Sequence, residues 1–139
     1  MNTLLHFFCN LTQQNNTLKK FFLGFVYAFQ GLAILLKTER NFKFHLFAFF
    51  CISIASFFFR INQSEWFAVL IISSVILTAE AFNSALEKLC NHLHPEIHPA
   101  IKSIKDIAAA SVLISSIIAV AIAGIIFLPR IYALINKLV

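Results

Sequence analysis

Residues 107–128 contain no charged side chain, and this run limits the possible folds more than any other feature of the chain. A stretch of about 20 apolar residues is long enough to cross the hydrocarbon of a bilayer as a helix. Hydrocarbon offers no partner to a free backbone N–H or C=O, so such a run has to be helical if it meets lipid. The other apolar runs follow the same pattern. Hydrophobic residues make up 60% of the chain and charged residues 12%, against about 25% charged in soluble domains. A soluble domain of 139 residues could not hide that much apolar surface. The reading is an all-α membrane protein in one domain.

The remaining segments are placed around that run. Residues 44–60 form the first span, broken only by His45, Ser53 and Ser56, with Lys43 and Arg60 placed to snorkel from its ends. The linker 61–65 is short, so the next helix, over 66–90, must return antiparallel from its interfacial anchor Trp66. Pro95 and Pro99 mark a polar, His-rich loop over 91–102. A last span follows over 104–128; Pro129 is expected to stop it and leave 130–139 as a short tail. Upstream, 1–16 reads as a polar, loosely ordered lead-in, and 17–37 as a helix with Lys19, Lys20 and Lys37 at its ends. That helix is just long enough to span, but the next apolar run starts almost at once. An amphipathic helix lying in the interface is therefore the favoured alternative.

Charge sets the expected orientation. Lys19, Lys20, Lys37, Arg40, Lys43, Lys88, Lys102 and Lys105 fall on one side, and Arg60, Arg130 and Lys137 on the other. The basic excess places the N-terminus and the His-rich loop in the cytoplasm of a multi-pass inner-membrane protein. The net charge of +5 does not point to nucleic acid, because the basic residues flank apolar runs and form no stripe with interleaved aromatics. Cys9, Cys51 and Cys90 are odd in number and lack paired spacing, which fits buried apolar fillers. The opening MNTLLHFFCN lacks the basic start of a secretory signal.

The candidate chemistry lies in the acids. Of Glu39, Glu65, Glu80, Glu87, Glu96 and Asp106, all but Glu65 fall toward the cytoplasmic half. Carboxylates near hydrocarbon are costly and default to function. Glu80, Asn83 and Glu87 are spaced i, i+3, i+7, so they share one helix face within about 60°. A polar seam between helices would explain Asn83 and Ser84, but not two glutamates. Spacing alone leaves either glutamate free to be a base. Lys102 and Lys105 share a face at the start of the last helix, where a cationic pair suits phosphate; anchoring to headgroups is the plainer alternative. His92, His94 and His98 have weak metal-site spacing and read as a solvated loop. With three glycines in all, the chain cannot build a glycine-rich phosphate cradle.

Three motifs give a resemblance. Ala79–Glu87, AEAFNSALE, resembles the E-x-x-N-[ST]-A-[IL]-E signature of the small prokaryotic diacylglycerol and undecaprenol kinases. Residues 105–113, KDIAAASVL, are similar to that family's K-D-x-[AG]-[AS]-[AG]-[AS]-V-L stretch, and residues 39–45, ERNFKFH, to its E-x-N-x-[KR]-x-H segment. The likeness covers about 18–128. It implies a homotrimer with three spans and a surface helix per subunit, and transfer of phosphate from ATP, with Mg2+, to a lipid alcohol in the membrane. By similarity, Glu80 would be the general base, Glu39 and Glu87 would hold Mg2+ on the nucleotide, and Asn83 would orient the reacting groups. Lys105, Asp106 and His98 would meet the nucleotide, with Tyr27 near the adenine. His45 matches the undecaprenol branch, where the diacylglycerol branch tends to carry Glu. Asn91 departs from the family's usual Asp. The alternatives from other classes are a small proton- or cation-coupled transporter using Glu80, and a structural membrane subunit. A transporter needs a membrane glutamate but not Glu39, Lys105 and Asp106 at one interface.

Overall fold

The computed structural model describes the backbone of residues 2–94, 96 and 98–138, and the side chains of 19–94, 96 and 98–137. The described residues form four α-helices: α1 Asn2–Thr38, α2 Arg40–Phe58, α3 Gln63–Leu93 and α4 Pro99–Leu138. The segments Lys19–Thr38, Arg40–Phe58, Gln63–Leu93 and Pro99–Lys137 are each long and apolar enough to cross a membrane. The chain divides into two units, α1 in one and α2–α4 in the other.

In the first unit, α1 is one helix of 37 residues. It takes in 2–16, the stretch expected to be a loose lead-in, as well as 17–37. The described side chains along it are mostly exposed, including Phe22, Phe25, Tyr27 and Phe29. Phe21 meets both Phe22 and Phe25 edge-on.

In the second unit, α3 is central and packs against both α2 and α4. Its two neighbours run antiparallel to it because both connections are short. The α2–α3 turn is set by backbone hydrogen bonds. Arg60 N–H donates to Phe57 O and Ile61 N–H to Ser56 O, each at 3.2 Å, the paired pattern of a Schellman ending. It places Arg60 at φ 50°, a left-handed conformation usually left to Gly. Asn62 then caps α3: its side chain accepts from Glu65 N–H at 3.0 Å, while Glu65 Oε2 accepts from Asn62 N–H at 2.8 Å. This reciprocal capping box satisfies two amide donors that the helix itself leaves free.

The apolar core lies at this end. Ile61, Val69, Ile126 and Phe127 are buried together, with Ile52, Ala55, Phe59 and Trp66 packed around them. Phe59 and Phe127 meet edge-on at 5.8 Å. Glu65, besides capping α3, pairs with Arg130 of α4 at 2.7 Å. Away from the core, Phe44, Phe47, Ile54, Phe57 and Phe58 of α2 and Ile117, Val120 and Ile125 of α4 are exposed, as lipid-facing side chains are.

Three helix ends differ from the sequence expectation. Pro129 does not stop α4, which continues to Leu138. Proline removes one helical hydrogen bond and crowds the preceding turn. Here the Arg130 guanidinium donates to Ile126 O at 2.5 Å and ties that turn to Glu65. The expected tail is therefore helical. Pro99 begins α4 instead of breaking it, since the first helical position needs no N–H. The polar loop shrinks accordingly to 94–98, and His92 belongs to α3.

Two tests follow. Ser56 is 0% exposed, and its hydroxyl is the one buried side-chain polar atom without a hydrogen-bond partner among the described residues. Ser56→Ala should therefore stabilise the protein by about 1 kcal/mol, read as a higher unfolding temperature in detergent. Arg130→Ala should destabilise by about 1.5 kcal/mol, the worth of a hydrogen bond to a charged group. In a double-mutant cycle with Glu65→Ala, the combined loss should be smaller than the sum of the single losses.

Candidate active site

The opposite end of the α2–α4 unit gathers the polar residues. The start of α2, the C-terminal half of α3 and the start of α4 meet there because α3 is antiparallel to both neighbours. Glu80 is 3% exposed, on the face of α3 that also carries Asn83. Asn41 and His45 of α2, Glu80 and Asn83 of α3, and Ala109, Val112, Leu113 and Ser116 of α4 line a pocket of about 290 Å3. The small Ala109 and Ser116 leave the space that larger residues would fill.

His45 also lines a second cavity of about 230 Å3. This one is apolar and bounded by Ala48, Phe49 and Ile52 of α2, Val69, Ile72, Ser73 and Ile76 of α3, and Ala119, Val120, Ile122 and Ala123 of α4. One imidazole thus stands where an apolar crevice meets a pocket containing a buried carboxylate.

The electrostatics of the pocket come from three acids. The charges of Glu39 and Glu87 both act on the Glu80 carboxylate. Glu39 is the N-cap residue of α2 but makes no side-chain cap bond. Its carboxylate pairs instead with the Lys88 ammonium of α3. Next along α3, Asn91 Oδ1 accepts from Lys105 Nζ of α4 at 2.6 Å, which joins the two helices one turn before Ala109 of α4.

The structure divides the residues singled out in the sequence. Asn83, His45 and Glu80 share the pocket, and Glu39 and Glu87 lie within electrostatic reach of it. Lys105 is held at the α3–α4 junction by Asn91. Asp106 is exposed and paired with Lys102 one turn away. The expected cationic pair of Lys102 and Lys105 is therefore split between two partners. His98 is exposed at the start of α4, where its Nδ1 accepts from Ala100 N–H at 3.2 Å, and its ring lies 5.4 Å from that of His94. Tyr27 lies on α1, 64% exposed.

Two further residues were not assigned a part from the sequence. Asn41 lines the pocket and was visible as the Asn of the E-x-N segment. Lys88 partners Glu39; its only sequence signal was its place directly after Glu87.

Carboxylate oxygens are hard donors suited to Mg2+. Among the described residues no three His, Cys, Asp or Glu side chains form a metal-holding group. Mg2+ is commonly held by one or two carboxylates and completed by phosphate oxygens and water.

A helical membrane protein with acids beside an apolar crevice is equipped for a molecule with one polar and one apolar end. Comparison with known proteins gives the class. The prokaryotic diacylglycerol kinase profile matches residues 26–127. The undecaprenol kinase of Bacillus subtilis is 33% identical over 115 residues, which is 83% of this chain and 94% of that protein. A diacylglycerol kinase of Synechocystis sp. is 28% identical over 113 residues, 81% of this chain and 65% of that protein. The chain belongs to the prokaryotic diacylglycerol kinase family, and it is a multi-pass membrane lipid kinase. Between the enzyme and the transporter readings of Glu80, family membership decides for the enzyme.

Burying Glu80 among like charges costs stability, a burden that functional sites commonly carry. Glu80→Gln, which keeps the shape and removes the charge, should raise the unfolding temperature in metal-free detergent, measured by circular dichroism.

Proposed function

We propose that the protein transfers the γ-phosphoryl group of ATP, with Mg2+, to the hydroxyl of a membrane lipid alcohol, undecaprenol in preference to diacylglycerol. The observation that carries this reading is the position of Glu80, buried in a polar pocket that meets an apolar crevice at His45. A lipid alcohol has the matching form, with its chain in the crevice and its hydroxyl toward Glu80.

Phosphoryl transfer depends on positioning and charge neutralisation more than on covalent help. Glu80 takes the proton from the lipid hydroxyl as its oxygen bonds to the γ-phosphorus, and the bond to the bridging oxygen breaks to leave ADP. Asn83 and Asn41 orient the alcohol. Glu39 and Glu87 would hold Mg2+, which neutralises phosphate charge when bound. Lys105, one helical turn before the pocket-lining Ala109, adds positive charge toward the phosphates. His98, Asp106 and Tyr27 are the remaining nucleotide-facing candidates. The basic excess at this end of the helices supports a cytoplasmic site in the inner membrane, where ATP arrives from water and the alcohol from lipid. The assembly is a homotrimer, with α1 lying at the membrane surface.

The preference for undecaprenol is supported by His45 and by the name of the Bacillus subtilis relative.

The test is transfer from Mg-ATP to undecaprenol and diacylglycerol in parallel, with purified protein in lipid or detergent. Phosphate should reach undecaprenol faster. Glu80→Gln should lose about a thousandfold or more, within the range for a general base and its electrostatic role, while remaining folded. His45→Glu should move the preference toward diacylglycerol. A folded wild-type protein that phosphorylates neither lipid would overturn the proposal.

A further inference from the structure

Lys88 has no part in the reaction as described above, yet it engages one of the reaction's key acids. Its ammonium pairs with Glu39 Oε1 across the α2–α3 interface. The Glu39 side chain is 23% exposed and that of Lys88 47%. The carboxylate is thus the more enclosed partner, and the lysine side chain is about half exposed. Glu39 does not cap its own helix, although an N-terminal helix position favours an acid and offers free amides. Its carboxylate is turned to Lys88 instead. Glu87, directly before Lys88, and Glu80 two turns earlier on the same helix add negative charge to the same region.

We propose that Lys88 is a resident counter-cation that holds Glu39 until a divalent cation arrives with its polyphosphate, so that metal and nucleotide enter the site as one unit. This rests on the reading of Glu39 and Glu87 as the metal-holding carboxylates.

The physical argument is one of partner exchange. A bare divalent cation must take Glu39 from Lys88 and leave the displaced ammonium close to a doubly charged ion. Its binding is penalised by that repulsion and by the lost pair. A cation that arrives on a triphosphate brings net negative charge with it. Lys88 then releases a carboxylate oxygen and meets a phosphate oxygen, and every charged group has a partner before and after. Lysine suits this exchange. Its ammonium is a compact point charge on a flexible stem, whereas the arginine fork would hold a carboxylate more rigidly.

The experiment measures binding of Mn2+ alone, from the loss of its free-ion electron paramagnetic resonance signal, on purified full-length protein without nucleotide. Wild type, Lys88→Met, Lys88→Gln and Lys88→Arg are compared, each checked for helix content by circular dichroism. Lys88→Met and Lys88→Gln should bind Mn2+ about fivefold more tightly than wild type, the scale expected on removing a partly exposed ion pair. Lys88→Arg should stay as weak as wild type or weaker. The gain should vanish when Glu39→Gln is added to Lys88→Met. Equal or weaker Mn2+ binding by both neutral variants, including none detectable in any form, overturns the counter-cation role. If Mn2+ binding tightens in the Lys88 variants but survives Glu39→Gln and Glu87→Gln together, the cation sits elsewhere. In that case the metal reading fails, and this proposal with it.

Discussion

A carboxylate beside hydrocarbon has to be compensated, and most of what is distinctive in this protein answers to that constraint. Glu80 lies buried in a helical unit whose exposed apolar surface is largely Phe, Ile and Leu. The polar and cationic groups of the unit are concentrated around it, at one end of three helices. Asn41, His45 and Asn83 line its pocket, while Lys88 and Lys105 engage Glu39 and Asn91. At the apolar end the one carboxylate among the described residues, Glu65, is met by Arg130 and the Asn62 amide, and the rest is packed apolar core.

The division of labour between the two ends follows from the chain path. A short turn and a short loop make α3 antiparallel to both neighbours. Ile61, Val69, Ile126 and Phe127 therefore form a core at one end, and the acids meet at the other. The Schellman ending at Arg60, the Asn62–Glu65 capping box and the Glu65–Arg130 pair fix the core end. Pinned there, α3 has its rotation about its own axis set, and with it the direction in which Glu80 points. Residues at the far end of the unit thus help to hold the orientation of Glu80.

Much of this was legible in the sequence, for reasons tied to local pattern. The apolar runs defined helices, and the i, i+3, i+7 spacing placed Glu80, Asn83 and Glu87 on one face. Proline was the weaker guide. Pro99 and Pro129 have the same ring, but one opens a helix and the other sits inside it. Whether proline ends a helix depends on its position and on groups such as Arg130 that secure the disturbed turn. Contacts between distant residues were the hardest to foresee. Nothing local marks Lys88 as the partner of a residue 49 positions away, or parts Lys102 from Lys105. Such pairings are decided by how helices rotate against one another, which periodicity within a single helix does not report.

One dimension of the fold bears on where the protein works. With 31 and 40 residues, α3 and α4 are about 46 and 60 Å long, against roughly 30 Å of hydrocarbon. Both must tilt or protrude, and the depth of Glu80 below the headgroups then depends on how the surrounding lipid accommodates the excess. Bilayers of different thickness adjust such hydrophobic mismatch at different cost. Acyl-chain length in the host membrane becomes a physical variable that sets how far the pocket opens toward water and how far toward oil.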